Sequence, residues 1–82
     1  MTYSLDLKPK SEKDLRGLPR AVQERVAEKL RALREDLQGD VKRLTQFVPS
    51  YRLRVGDYRV LFEIENEAVV IYRILHRREA YR

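Results

Sequence analysis

The sequence has no cysteine and no tryptophan, one histidine, and only three glycines and three prolines in 82 residues. Without cysteine there is no disulfide framework and no thiolate zinc site, which agrees with a reducing cytoplasm as the place of action. A lone histidine with scattered carboxylates lacks the spacing of a zinc site, so no metal is expected. Glu63, Glu65 and Glu67 gather at one point, but as a solvated turn. Gly-rich phosphate loops and Ser-His-Asp sets are absent, and no cofactor is expected. No apolar run approaches the roughly 20 residues of a membrane span. The first ten residues alternate polar and apolar, unlike the basic and then apolar order of a signal peptide.

What remains is short, periodic and basic. A chain of this length makes one domain with one modest core, residues 1–82. Net charge is +5, and most of the 18 basic residues are arginine. Arginine presents a planar fork of donors that fits phosphate and carboxylate. Such a surface suits nucleic acid or an acidic protein partner.

Apolar periodicity predicts the elements. Thr2 to Lys8 alternates, with Tyr3, Leu5 and Leu7 on one face, and reads as a strand ended by Pro9. Ser11 reads as the N-cap of a short helix containing Asp14, Leu15 and Leu18, stopped by Gly17 and Pro19. A second helix follows from Pro19 to about Gln38. Its stripe is Val22, Val26, Leu30, Leu33 and Leu37, with Gly39 as cap. Asp40 to Ser50 reads as a connector. From Tyr51 the period becomes two, with a turn at Gly56-Asp57 and another at Glu65-Asn66-Glu67. Val69 to Leu75 is nearly continuous apolar sequence, as in a central strand. The expected fold is α+β, in the order β-α-α-β-β-β. It is a small, mainly antiparallel sheet with a helical hairpin packed on one face.

The first hairpin yields a sharper expectation. A two-residue loop at Gly56-Asp57 sets Val55 opposite Tyr58, Arg54 opposite Arg59 and Leu53 opposite Val60. Tyr51, Leu53, Val55, Tyr58, Val60 and Phe62 then share the covered face, while Arg52, Arg54 and Arg59 share the other. Like charges directly opposite on a sheet repel. The pairing makes sense if an anion such as phosphate lies between them. A three-residue second loop, preferred because it buries more apolar surface, adds Arg73 opposite Arg59, with Val70, Tyr72 and Ile74 on the core face; a two- or four-residue loop would reverse that. The tail His76-Arg77-Arg78-Glu79-Ala80-Tyr81-Arg82 supplies the single histidine, more arginines and a tyrosine. Histidine titrates near neutrality and can act as acid or base, and tyrosine can stack on a nucleobase.

The run Tyr51-Arg52-Leu53-Arg54-Val55-Gly56-Asp57-Tyr58-Arg59-Val60-Leu61-Phe62 resembles the RelE/ParE toxin superfamily. So does Ile71-Tyr72-Arg73-Ile74-Leu75-His76-Arg77-Arg78-Glu79-Ala80-Tyr81. The opening strand, the helical hairpin and Lys42-Arg43-Leu44 also sit where that family has them. The resemblance implies the toxin of a type II toxin–antitoxin pair. RelE-like members are metal-independent endoribonucleases that cut mRNA on the ribosome and so inhibit translation. Carried over residue by residue, Arg54 and Arg59 stabilise the phosphate, Arg77 aids the leaving group, and Tyr81 stacks on or positions the base. Arg52, Arg73 and Arg78 bind RNA. The resemblance also implies an acidic antitoxin from the same operon, and operator DNA bound only through that complex.

One departure stands out. RelE-like ribonucleases can carry lysines where this chain has Arg52 and Arg54, and arginine is a poor general base. Either His76 takes that role or electrostatics carry the reaction. Two other readings share the resemblance: a ParE-like inhibitor of DNA gyrase without nuclease activity, and a non-toxic module that only binds its antitoxin.

Overall fold

The alternation at the start of the chain forms strand β1 (Ser4–Leu7), in a computed structural model that describes residues 2–80. Pro9 closes the strand and also opens helix α1 (Pro9–Arg16), where its missing N–H costs nothing. The helix therefore starts earlier than Ser11 predicts. Ser11 lies inside it, fully buried, and its hydroxyl donates to the Lys8 carbonyl at 2.7 Å.

Helix α2 (Arg20–Arg34) buries Val26, Leu30 and Leu33 on one stripe. It stops short of the predicted Gln38. Asp36 and Leu37 turn left-handed, with φ of 73° and 57°. The turn still brings Leu37 against the core, so the apolar stripe outlasts the helix that carries it. Gly39 is not the cap, which falls at Glu35. Its φ is 129°, and a Cβ there would lie 2.7 Å from Leu53 Cδ1.

The predicted connector starts as a strand. β2 (Asp40–Arg43) pairs antiparallel with β3 (Tyr51–Val55) along the edge of the sheet. The expected elements are all present, with this one addition. The chain continues through β4 (Tyr58–Glu65) and β5 (Ala68–His76). The sheet order is β1-β5-β4-β3-β2. β1 runs parallel to β5 and the other pairs are antiparallel.

The register of β3 on β4 is the predicted one: Val55 faces Tyr58, Arg54 faces Arg59 and Leu53 faces Val60. Gly56 takes φ of 58° at the first turn position, as a type II′ turn requires. The next hairpin differs from its prediction. Its loop is two residues, Asn66-Glu67, with Glu65 opposite Ala68. A bulge at Tyr72 then shifts the pairing, so Phe62 faces Ile71 but Leu61 faces Arg73. The core face of β5 is therefore Val69, Ile71 and Ile74 instead of Val70, Tyr72 and Ile74. Without the bulge, strict alternation from Ile71 would turn Arg73 toward the helices.

Helix residues Val26, Leu30 and Leu33 meet Leu53, Val55, Val60, Phe62, Val69, Ile71 and Ile74 in one core. The second face of the sheet is also partly apolar, since Leu61 and Val70 are buried there. The rest of the connector is fastened to that face. The Ser50 N–H and hydroxyl both donate to Glu63 Oε2, at 3.0 and 3.1 Å, and the Leu44 N–H reaches the Ser50 carbonyl.

Candidate functional site

The face turned away from the helices gathers cations at one end. Lys42, Leu44, Phe47, Arg52, Arg54 and Arg59 line an open cavity of about 500 Å³. The cross-strand pairing of Arg54 with Arg59 puts two like charges in direct opposition. Arg54 is exposed and has no hydrogen bond or ion pair among the described residues. One nitrogen of Arg59 donates to the Gly56 and Tyr58 carbonyls, both at 2.9 Å, which fixes its guanidinium against the β3–β4 turn. Arg52 is different. It is held by the carbonyl and carboxylate of Asp40 on β2, at 3.0 and 3.2 Å, and its side chain is mostly covered. Arg52 thus braces the edge of the site, while Arg54 and Arg59 have no carboxylate partner among the described residues.

Three lining residues, Lys42, Leu44 and Phe47, were not assigned to the site from the sequence. Lys42 reaches the cavity because β2 sets it opposite Arg52. Phe47 projects from the connector. The signal for Lys42 was the family resemblance of Lys42-Arg43-Leu44, because Asp40 to Arg43 has one apolar residue and is too short to separate from a loop. Phe47 fell within the stretch Asp40 to Ser50, read as a connector.

The other predicted residues lie elsewhere. Arg73 does not face Arg59, because the bulge puts Leu75 in that place. Its guanidinium makes a two-pronged pair with the Asp14 carboxylate of α1, at 2.8 and 3.1 Å. Asp14 Oδ2 also accepts from the Ile74 N–H at 2.9 Å, closing the edge of β5 beyond the end of β1. Burial works to raise the Asp14 pKa, but the hydrogen bonds from Arg73 and Ile74 and the nearby positive charges outweigh it, so the carboxyl sits below its ordinary value. The same bond raises Arg73. On the neighbouring bulge residue, a hydrogen bond to Glu65 pushes the Tyr72 hydroxyl up.

His76 faces Tyr58 in register and contacts its ring edge-on, with centroids 5.4 Å apart. Both line a groove against Lys10, Lys13 and Leu18 beside α1. The histidine is therefore on the helix side of the sheet, away from Arg54 and Arg59. Arg77 does come near them: its N–H donates to the Asp57 carbonyl at 2.7 Å, next to the turn that Arg59 holds. Arg78 is exposed, and its N–H donates to His76 Nδ1 at 3.3 Å. Tyr81 lies outside the described residues. Among those described, no cluster of histidine and carboxylates could hold a metal ion, and no helix is long and apolar enough to cross a membrane.

Residues 5–81, nearly the whole chain and all of this face, match the family described as ParE toxin of the type II toxin–antitoxin system parDE. The chain belongs to that toxin family. Within the wider RelE/ParE superfamily it is similar to Toxin RelE3 of Methanocaldococcus jannaschii, with 30% identity over 74 residues and 84% of each chain covered. The fold of this toxin recurs in solved toxin–antitoxin complexes. The RelE–RelB complex from Pyrococcus horikoshii OT3 contains a chain 28% identical, with a TM-score of 0.76 over 98% of this chain and 100% of that one. The RelBE2 complex from Mycobacterium tuberculosis contains one 26% identical, with a TM-score of 0.79 over 93% and 99%. In this RelE-like toxin Lys42 of β2 stands opposite Arg52 of β3.

Proposed function

We propose that this toxin is a ribosome-dependent, metal-independent endoribonuclease that cuts mRNA and so inhibits translation. The observation that carries the reading is the opposed pair Arg54 and Arg59 beside Lys42, with no carboxylate partner for any of the three among the described residues. That geometry suits a group with more than one negative charge to share. In the reaction the 2′-hydroxyl attacks the adjacent phosphorus. The bond to the 5′-oxygen breaks, a 2′,3′-cyclic phosphate forms, and the proton given up by the 2′-hydroxyl is balanced by the one gained by the 5′-hydroxyl. Negative charge on the crowded phosphorus peaks midway, and fixed cations stabilise that point most.

Arg59 and Arg54 take the phosphate, Arg77 assists the leaving oxygen, and Tyr81 stacks on or positions the base. Arg52 holds the edge and Arg78 meets RNA backbone. Arg73, committed to Asp14, orders β5 for them. With His76 on the helix side, catalysis rests on electrostatics and positioning. A cognate antitoxin, acidic and encoded with the toxin, covers this face in the resting cell; the solved neighbours are complexes with RelB. Operator DNA is met only through that complex, in the cytoplasm.

The test is cleavage of mRNA on programmed ribosomes, read by primer extension. Wild type should cut in the A-site codon. Arg59→Leu should lose at least about 100-fold in rate, as when one charge-stabilising group is removed, while its melting temperature stays near wild type. His76→Ala should cut normally. No cleavage by a wild-type protein that still arrests growth would move the target to DNA gyrase; no cleavage and no arrest would leave an antitoxin-binding module.

A further inference from the structure

Arg52 meets Asp40 through one nitrogen. Its Nη1 donates to the Asp40 carbonyl at 3.0 Å and to Asp40 Oδ1 at 3.2 Å. The two acceptors do different things. The carbonyl belongs to the backbone of β2, which the pairing with β3 fixes, and it stays whatever side chain residue 40 carries. The Arg52 side chain is also only 14% exposed, so packing holds it as well. The carboxylate is therefore a second tether on a group already held. What it alone adds is negative charge.

That charge stands in a telling place. β2 sets Asp40 opposite Arg54 and Lys42 opposite Arg52, so the carboxylate lies at the rim of the cavity lined by these cations and Arg59. The Asp40 side chain is 58% exposed and fills no space in the core. Aspartate is also among the residues that strands disfavour, so the first position of β2 carries it against propensity. An anion entering beside Arg52 meets the charge of a pair, not that of a lone guanidinium.

We infer that Asp40 attenuates the anion site: its carboxylate neutralises Arg52 and so lowers the affinity of the cavity for the phosphodiester of single-stranded RNA. The inference rests on the ribonuclease reading and deepens it. Asp40 acts through Arg52 and does not touch the reacting atoms. Affinity shared equally by substrate and transition state lowers KM without raising kcat, so a site at full charge would hold RNA longer and cut it no faster. Asp40 keeps the phosphate grip on Arg54 and Arg59 and lets the RNA leave.

The probe is a short single-stranded RNA, 2′-O-methylated to prevent cleavage, titrated by fluorescence anisotropy at about 50 and 200 mM salt. Asp40→Asn, with Asp40→Ser as a second neutral variant, should tighten binding about three- to fivefold at the lower salt, the scale of one partly exposed charge pair. The plot of log affinity against log salt should steepen by up to about 0.7, as for one more neutralised phosphate. Adding Arg52→Gln should abolish the gain. Glu67→Gln removes the same charge from the exposed turn after β4, at the strand end opposite Arg59, and should bind as wild type does. On programmed ribosomes Asp40→Asn should lower KM and leave kcat no higher. Unchanged or weaker RNA binding, or a fall in kcat at constant KM, would overturn the inference; in the last two cases the carboxylate is a brace that Arg52 needs. An equal gain from Glu67→Gln would overturn it too, since net charge alone would explain both. So would a gain that survives Arg52→Gln. In each of these cases a defect in Arg59→Leu would leave the ribonuclease reading standing. If Arg54→Gln and Arg59→Leu both bound the RNA as tightly as wild type, that reading would fail and this inference with it.

Discussion

Two kinds of arginine share this small domain, and their partners tell them apart. Arg73 and Arg52 are paired with Asp14 and Asp40, so each closes a gap at an edge of the sheet. Arg54 and Arg59 have no carboxylate partner among the described residues, and they oppose each other. Asp14 carries its own consequence. Its folded pKa is lowered, so the stability it adds is complete above its unfolded pKa and is lost as pH falls through the folded one. Thermal melts of Asp14→Asn should therefore show a deficit of about 1–2 kcal/mol at neutral pH, the worth of hydrogen bonds to a charged group. The gap to wild type should shrink as pH falls below the ordinary carboxylate range and through the lowered folded value. A gap that stays constant into acid would show that the charge contributes nothing.

Among the elements, β2 changes what the site is. As a strand, Asp40–Arg43 delivers Asp40 to Arg52 and Lys42 to the cavity. As a loop it would deliver neither in a fixed place. The turn that launches β2 depends on Gly39, whose φ of 129° and close approach to Leu53 admit no side chain. Gly39→Ala should destabilise the domain by about 2 kcal/mol or more, from backbone strain and overpacking together. In chemical denaturation this would appear as a lower midpoint at an unchanged slope. A variant as stable as wild type would mean that the turn relaxes freely. The bulge at Tyr72 acts in the same way on β5: one extra residue turns Ile74 into the core and leaves Arg73 free to reach Asp14.

For the molecule as a whole, the two faces of the sheet divide the labour. One face is sealed by the helices over the apolar core, and the other carries the cations, with Leu61, Val70 and the connector filling its middle. Net charge is +5, and Lys42, Arg54 and Arg59 gather at one end of the open face, so an acidic antitoxin is expected to be steered toward the cavity. Association with the co-expressed antitoxin should accordingly slow by about tenfold or more between 50 and 200 mM salt, while dissociation changes little. Stopped-flow mixing at several salt concentrations measures both. An association rate indifferent to salt would place the antitoxin on the helix side instead.

The strands of the first hairpin were legible because their period was strict and their turn short: Gly56-Asp57 permits one register, and that register alone opposes Arg54 to Arg59. The helical stripe was legible for the same reason, since Val26, Leu30 and Leu33 repeat at helical spacing. Periodicity is a local property, and local properties survive in sequence. The end of α2, the strand β2, the bulge in β5 and the side on which His76 stands were decided only in the folded chain. Leu37 finds the core from a turn as well as from a helix. Val69 to Leu75 is apolar on both parities, so its facing is set by the neighbours on β4 and α1. Asp40 to Arg43 gains its order from β3, which supplies the hydrogen bonds that a lone four-residue segment lacks. The sequence by itself determined which residues seek burial and which carry charge. The tertiary structure decided which cations meet, because that depends on register, and register is a property of pairs of strands.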